Sequence, residues 1–171
     1  MANKTLFILC GEAFSGKSTL AKEIASKYGA KIVGRDEIYF ATEKILALEN
    51  TSEEDDSGLW DSMWPLVLQG VKNQLLLGNS VVVDDNCLYL NQRDKLRFIA
   101  TKLNTKHILI YLNVSSEIIR KRKKDNKLNK TRHDVPSAWL EEDSKLFERP
   151  NESENPILYN QNRNIEELIS L

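Results

Sequence analysis

The chain has 171 residues, of which 41% are hydrophobic and 29% charged, with a net charge of −1; that is enough for one domain, read as residues 1–171, with a real core. The near-neutral balance excludes a molecule that binds polyanions through its overall charge, but leaves room for a local basic patch. Cys10 and Cys87 make neither a disulfide framework nor a metal-ligand spacing, and His107 and His133 are too few for a histidine metal site.

Met1-Ala2-Asn3-Lys4 leads straight into the first apolar run, which leaves no room for a signal peptide. No apolar run approaches the about 20 residues of a membrane span, so the expected compartment is cytoplasmic. Thr5 to Cys10 is continuously apolar after its first residue, as a buried parallel strand reads. It ends at Gly11-Glu12-Ala13-Phe14-Ser15-Gly16-Lys17-Ser18-Thr19, which fits G-x-x-x-x-G-K-[S/T], and a helix pattern follows with Leu20, Ala21, Ile24 and Ala25 on one face. The two glycines let the backbone curl so that its N–H groups point at phosphate oxygens. The helix adds its positive end to the same anion. Lys17 then reaches the β- and γ-phosphates, and the Ser18 hydroxyl is placed to ligate Mg²⁺.

Lys31-Ile32-Val33 reads as a second strand, followed by Gly34-Arg35-Asp36-Glu37 and a helix from Glu37 to Leu48. Ligands of open α/β sheets lie at the carboxyl ends of the strands, which puts Asp36 on the rim of the phosphate loop. It is a candidate base for a substrate hydroxyl; capping of the next helix is compatible with that role. Glu49 to Gly58 carries five acids and no base and reads as a solvated loop. Leu59 to Leu77 has apolar residues at helical spacing, with Trp60 and Trp64 among them, and Pro65 predicts a kink or a later start. Ser80 to Asp85 is a third buried strand with acids at its end. Asp84 is favoured over Asp85 as the carboxylate that serves Mg²⁺, although the sequence does not decide between them.

Asn91 to Leu103 is an amphipathic helix whose first turn carries Arg93, a hint of an anionic partner. His107 to Leu112 is a fourth strand. From Ser115 a helix begins that turns basic: Arg120, Lys121, Arg122, Lys123, Lys124, Lys127, Lys130 and Arg132 face one acid, Asp125. A solvated basic surface is one reading. A lid over about 120–136 that folds arginine over a phosphoryl group is the other, with Arg120 and Arg132 as candidates. Ser137 to Phe147 reads as a helix, Ile157 to Asn160 as a last strand and Ile165 to Leu171 as a closing helix.

The phosphate loop, Gly34-Arg35-Asp36, Val83-Asp84-Asp85-Asn86 and Arg132-His133-Asp134-Val135-Pro136 occur in this order. The chain thereby resembles the small P-loop kinases, a family of AAA-type ATP-binding enzymes that includes polynucleotide 5′-kinase and several small-molecule phosphotransferases. The resemblance implies a three-layer α/β P-loop sandwich with a five-stranded parallel sheet and a helical lid, and ATP with Mg²⁺. It also implies that Asp36 stands at the general-base position. Polynucleotide kinase has an arginine three residues after that aspartate, where this chain has Tyr39. Its lid arginine aligns with Lys130, and lysine lacks the forked contact of arginine. The expected activity is γ-phosphoryl transfer from ATP to a hydroxyl of a small molecule. A polynucleotide 5′-hydroxyl kinase and a regulatory ATPase that phosphorylates nothing are the alternatives. The acceptor, the base preference and the oligomeric state are not legible.

Overall fold

The structure, a computed structural model, describes residues 4–46, 56–129 and 137–160, with backbone alone at 43–46, 56–61 and 137. Part of the acidic run, the stretch with Lys130, Arg132 and Val135-Pro136, and the expected closing helix lie outside the described residues.

Strand β1 (Thr5–Cys10) leads through the glycine loop into helix α1 (Lys17–Tyr28). Then follow β2 (Lys31–Gly34), α2 (Arg35–Leu46), α3 (Asp56–Leu76), β3 (Val81–Asp84) and α4 (Leu90–Lys102). The chain continues through β4 (Lys106–Leu112), α5 (Ser116–Asn129), α6 (Ser137–Leu146), a 3₁₀ turn at Glu152–Glu154 and β5 (Ile157–Tyr159). The five strands form one parallel sheet in the order β2-β3-β1-β4-β5.

Alternation along the strands sorts the core into two layers. Leu6, Ile8, Cys10, Val81 and Val83 pack on one face with Val67, Val71 and Leu75 of α3 and Leu96 and Ala100 of α4. Phe7, Leu9 and Val82 point to the other face, against Leu20, Ala21 and Ile24 of α1. Both faces are covered, which is why these strands read as unbroken apolar runs. Among the described residues no helix is long and apolar enough to cross a membrane.

Two helix starts and the partner of one arginine differ from expectation. Helix α2 begins at Arg35, so Asp36 lies inside its first turn and is not its cap. Helix α3 begins at Asp56, so the end of the acidic run is helical, and it continues through Pro65 to Leu76. Pro65 is exposed and α3 carries Trp64, Val67, Val71 and Leu75 into the core, so packing outweighs the loss of one helical hydrogen bond. Arg93 has its anion within the chain. It is 1% exposed and donates from Nε and Nη2 to Glu154 at 2.7 and 2.9 Å, and from Nη1 to the Cys87 and Leu88 carbonyls.

Candidate active site

The carboxyl ends of β1, β2 and β3 form one rim. Gly11 leaves β1 at φ +154°, and a Cβ there would meet the Leu112 carbonyl oxygen at 2.9 Å, so only glycine fits. Its N–H donates to the Asn86 carbonyl at 3.1 Å, which ties the loop to the end of β3. Gly16 caps α1 at φ 103°, with no side-chain cap and no acid in the first turn of the helix. The N–H groups of that turn thus face the loop with no acid of α1 itself to oppose an anion. Phe14 adopts the left-handed conformation at φ 64°, unusual for a bulky residue. Arg122 of α5 holds it there, donating to the Phe14 and Ser15 carbonyls at 2.9 and 3.0 Å. Lys17 is buried, and its Nζ donates to the carbonyls of Gly11 and Glu12 at 2.9 and 2.8 Å. Phosphate oxygens would compete for the same ammonium.

Asp84 closes β3 beside Gly34 of β2, where a Cβ on Gly34 would meet the Asp84 carbonyl oxygen at 2.9 Å. The Ser18 hydroxyl hydrogen-bonds the Asp84 carboxylate. Burial pushes the Asp84 carboxyl up from its ordinary value; Ser18 and Lys17 oppose the shift, while Asp36 and Asp85 add to it. Excess negative charge with hard oxygen donors suits a small divalent cation, so Ser18 and Asp84 fit Mg²⁺. Glu37, one residue beyond Asp36, is likewise pushed up, by burial and then by Asp84 and Asp36.

Asp85 has a different task. It accepts from Arg35 Nε and Nη2 at 3.0 and 3.2 Å, and the Arg35 guanidinium lies 5.4 Å from the Trp64 ring centroid. Asp85 is therefore an internal partner of the Gly34-Arg35-Asp36 segment. Asn86 donates from Nδ2 to Asp143 of α6 at 3.2 Å, which brings the helix after the basic segment to the same rim. A cavity of about 540 Å³ opens on the other side of the loop. Phe14, Thr19, Leu20, Arg122, Asn126 and Tyr159 are among its lining residues.

The profile of the AAA domain family matches residues 6–150. The chain belongs to this family. As an AAA domain it is 30% identical over 118 residues to the L-seryl-tRNA(Sec) kinase of Methanococcus maripaludis, covering 68% of this chain and 44% of that one. The chain thus spans less than half the length of that relative. Among solved structures, the gluconokinase of Sinorhizobium meliloti 1021 gives a TM-score of 0.63 at 21% identity, covering 99% of this chain and 90% of its own. The APS kinase of Mycobacterium tuberculosis gives 0.58 at 17%, covering 96% and 92%. Kti12 of Chaetomium thermophilum gives 0.66 at 16%, covering 93% and 90%. At these identities the structural likeness establishes the kinase-like P-loop fold and not the reaction.

In this AAA domain the sequence-predicted residues fall into three groups. Gly11 to Thr19, Asp36 and Asp84 share the rim. Arg120 is exposed on α5, and among the described contacts none joins it to the loop; Arg132 lies outside the described residues. Arg122, only one member of the basic run in the sequence, reaches the loop instead. Asp143 and the cavity were not anticipated, because each depends on helices that the sequence cannot orient. Tyr39, the position that departs from polynucleotide kinase, is buried with its ring edge-on to Phe40.

Proposed function

We propose that this AAA domain is an ATP-dependent kinase that transfers the γ-phosphoryl group to a hydroxyl of a small-molecule acceptor. The observation that carries the reading is the meeting of Lys17, the Ser18–Asp84 hydrogen bond and the exposed Asp36 on one rim. The loop amides and the end of α1 hold the phosphates, and Lys17 turns from its own carbonyls to the β- and γ-phosphates. Mg²⁺, held by Ser18 and Asp84, would neutralise charge on the phosphates. The cavity beside Thr19 and Arg122 takes the nucleoside. Asp36 accepts the proton of the acceptor hydroxyl as its oxygen bonds to phosphorus and the bond to ADP breaks. The lid, with Arg132, excludes water that would compete as acceptor.

A second reading has specific support. Arg120, Lys121, Lys124 and Lys127 are exposed along α5, where they could follow a phosphate backbone, and the Methanococcus relative is named for a substrate that contains tRNA. On this reading the acceptor hydroxyl belongs to a nucleic acid. A label-transfer screen with γ-labelled ATP over nucleosides, sugars, antibiotics and 5′-hydroxyl oligonucleotides separates the two. Transfer to a small hydroxyl compound with little dependence on salt supports the first reading; steep salt dependence with an oligonucleotide supports the second. Asp36→Asn should lower kcat about 10²–10⁴-fold with ATP affinity retained. Unchanged turnover in that variant defeats the base assignment, and with it the distinction from a regulatory ATPase.

A further inference from the structure

Arg149 belongs to none of the motifs above. It follows α6 on the connection to β5, and its side chain returns to the phosphate loop. Nη2 lies 3.9 Å from Oε1 of Glu12, the guanidinium carbon lies 5.9 Å from the Phe147 ring centroid, and the group hydrogen-bonds the Tyr111 hydroxyl at the end of β4. Glu12 is the second residue of the loop, and a carboxylate there opposes the anion that the loop amides attract. Arg149 offsets that charge, yet its side chain is 64% exposed and its pairing with Glu12 is long. An exposed pair of this kind holds weakly. A phosphate offers arginine a forked, charge-assisted contact that is stronger.

The end of the loop at which Arg149 stands identifies the phosphate it would meet. Lys17 Nζ sits on the carbonyls of Gly11 and Glu12, and this lysine serves the β- and γ-phosphates. The Glu12 end is therefore the terminal-phosphate end. Arg122 grips the opposite end, at Phe14 and Ser15, beside the cavity. We propose that Arg149 is a specificity-determining residue that reads the terminal phosphate, exchanging Glu12 for γ-phosphate oxygens when a nucleoside triphosphate lies on the loop. The inference rests on the nucleotide reading of the loop and not on the identity of the acceptor.

Titration calorimetry of ATP and ADP, each with Mg²⁺, tests it in wild type, Arg149→Ala, Arg149→Lys and Glu12→Gln. Arg149→Ala should weaken ATP about tenfold, the scale of one contact to a charged group, and leave ADP nearly unchanged. Arg149→Lys should recover part of the loss, since it keeps the charge without the fork. Glu12→Gln should tighten ATP more than ADP. Equal losses for ATP and ADP, or none, overturn the proposal, and unshifted melting temperatures show that the variants are folded. Wild type that binds neither nucleotide overturns the proposal together with the nucleotide reading. Normal discrimination without transfer to any acceptor leaves it standing while the kinase reading falls.

Discussion

Arg93 carries its charge into the core because Glu154 meets it there. Its side chain is 1% exposed and that of Glu154 3%, and Arg97 adds a second contact to the same carboxylate at 2.9 Å. Burial alone would raise the Glu154 pKa, but the hydrogen bonds from Arg93 and Arg97 outweigh it and hold the group below the ordinary 4.5. A lowered carboxylate stabilises the fold above its unfolded value and loses that contribution as pH falls through its folded one. Urea denaturation should therefore show stability falling on acidification below 4.5, with a weaker acid dependence in Glu154→Gln. At neutral pH that variant should cost about 3–5 kcal/mol, because it leaves Arg93 as an uncompensated buried charge. A loss under about 1 kcal/mol would contradict the buried pair. The sequence showed Arg93 as a cation in the wrong turn of a helix, and the partner, far along the chain, has no local signature. Asp84 and Asp85 pose the same difficulty on a smaller scale. They are adjacent and chemically identical, and only the fold assigns one to Ser18 and the other to Arg35.

At the scale of elements, local pattern was informative wherever one period dominated. The three central strands announced themselves because β1, β3 and β4 are buried on both faces, and the phosphate loop because strand, glycines and helix follow one another directly. Helix α3 shows where this fails. Its apolar spacing marks a helix from Leu59, while Pro65 argues for a break; the fold keeps one helix from Asp56 to Leu76. That continuity has a cost that can be measured. Pro65 lacks the N–H that would bond the Asp61 carbonyl, and its ring crowds that group. Pro65→Ala should raise stability by roughly 1–2 kcal/mol, after the greater freedom that alanine gives the unfolded chain. In a chain of this size that is a rise in Tm of several degrees, about 2–4 °C for each kcal/mol. A fall in Tm would mean that the proline shapes α3 and does not merely survive in it. Helix α5 shows a different limit. Its basic character was plain, but Arg120 and Arg122 differ only in which side of the helix faces the loop.

For the whole molecule, the fold matters because it brings to one rim groups that are far apart in sequence. The loop follows β1, Asp36 comes from the first turn of α2, Asp84 from β3, Asp143 from α6 and Arg149 from the connection to β5. Lys17 is where these influences converge: its ammonium donates to two loop carbonyls, and its charge opposes the rise that burial imposes on the Asp84 and Asp143 carboxyls. A bound nucleotide should therefore stabilise the entire domain through this residue. At about 100 times the dissociation constant, MgATP should add roughly 2.7 kcal/mol, or about 5–10 °C in Tm. Lys17→Ala should abolish that shift. The variant without nucleotide should melt close to wild type, since the loop remains tied to β3 through the bond from Gly11 to Asn86 and to α5 through Arg122. Differential scanning fluorimetry with and without MgATP measures both quantities. A full MgATP shift in Lys17→Ala would remove the phosphate role of the loop, whereas a large drop without nucleotide would make Lys17 primarily a structural cation of the rim.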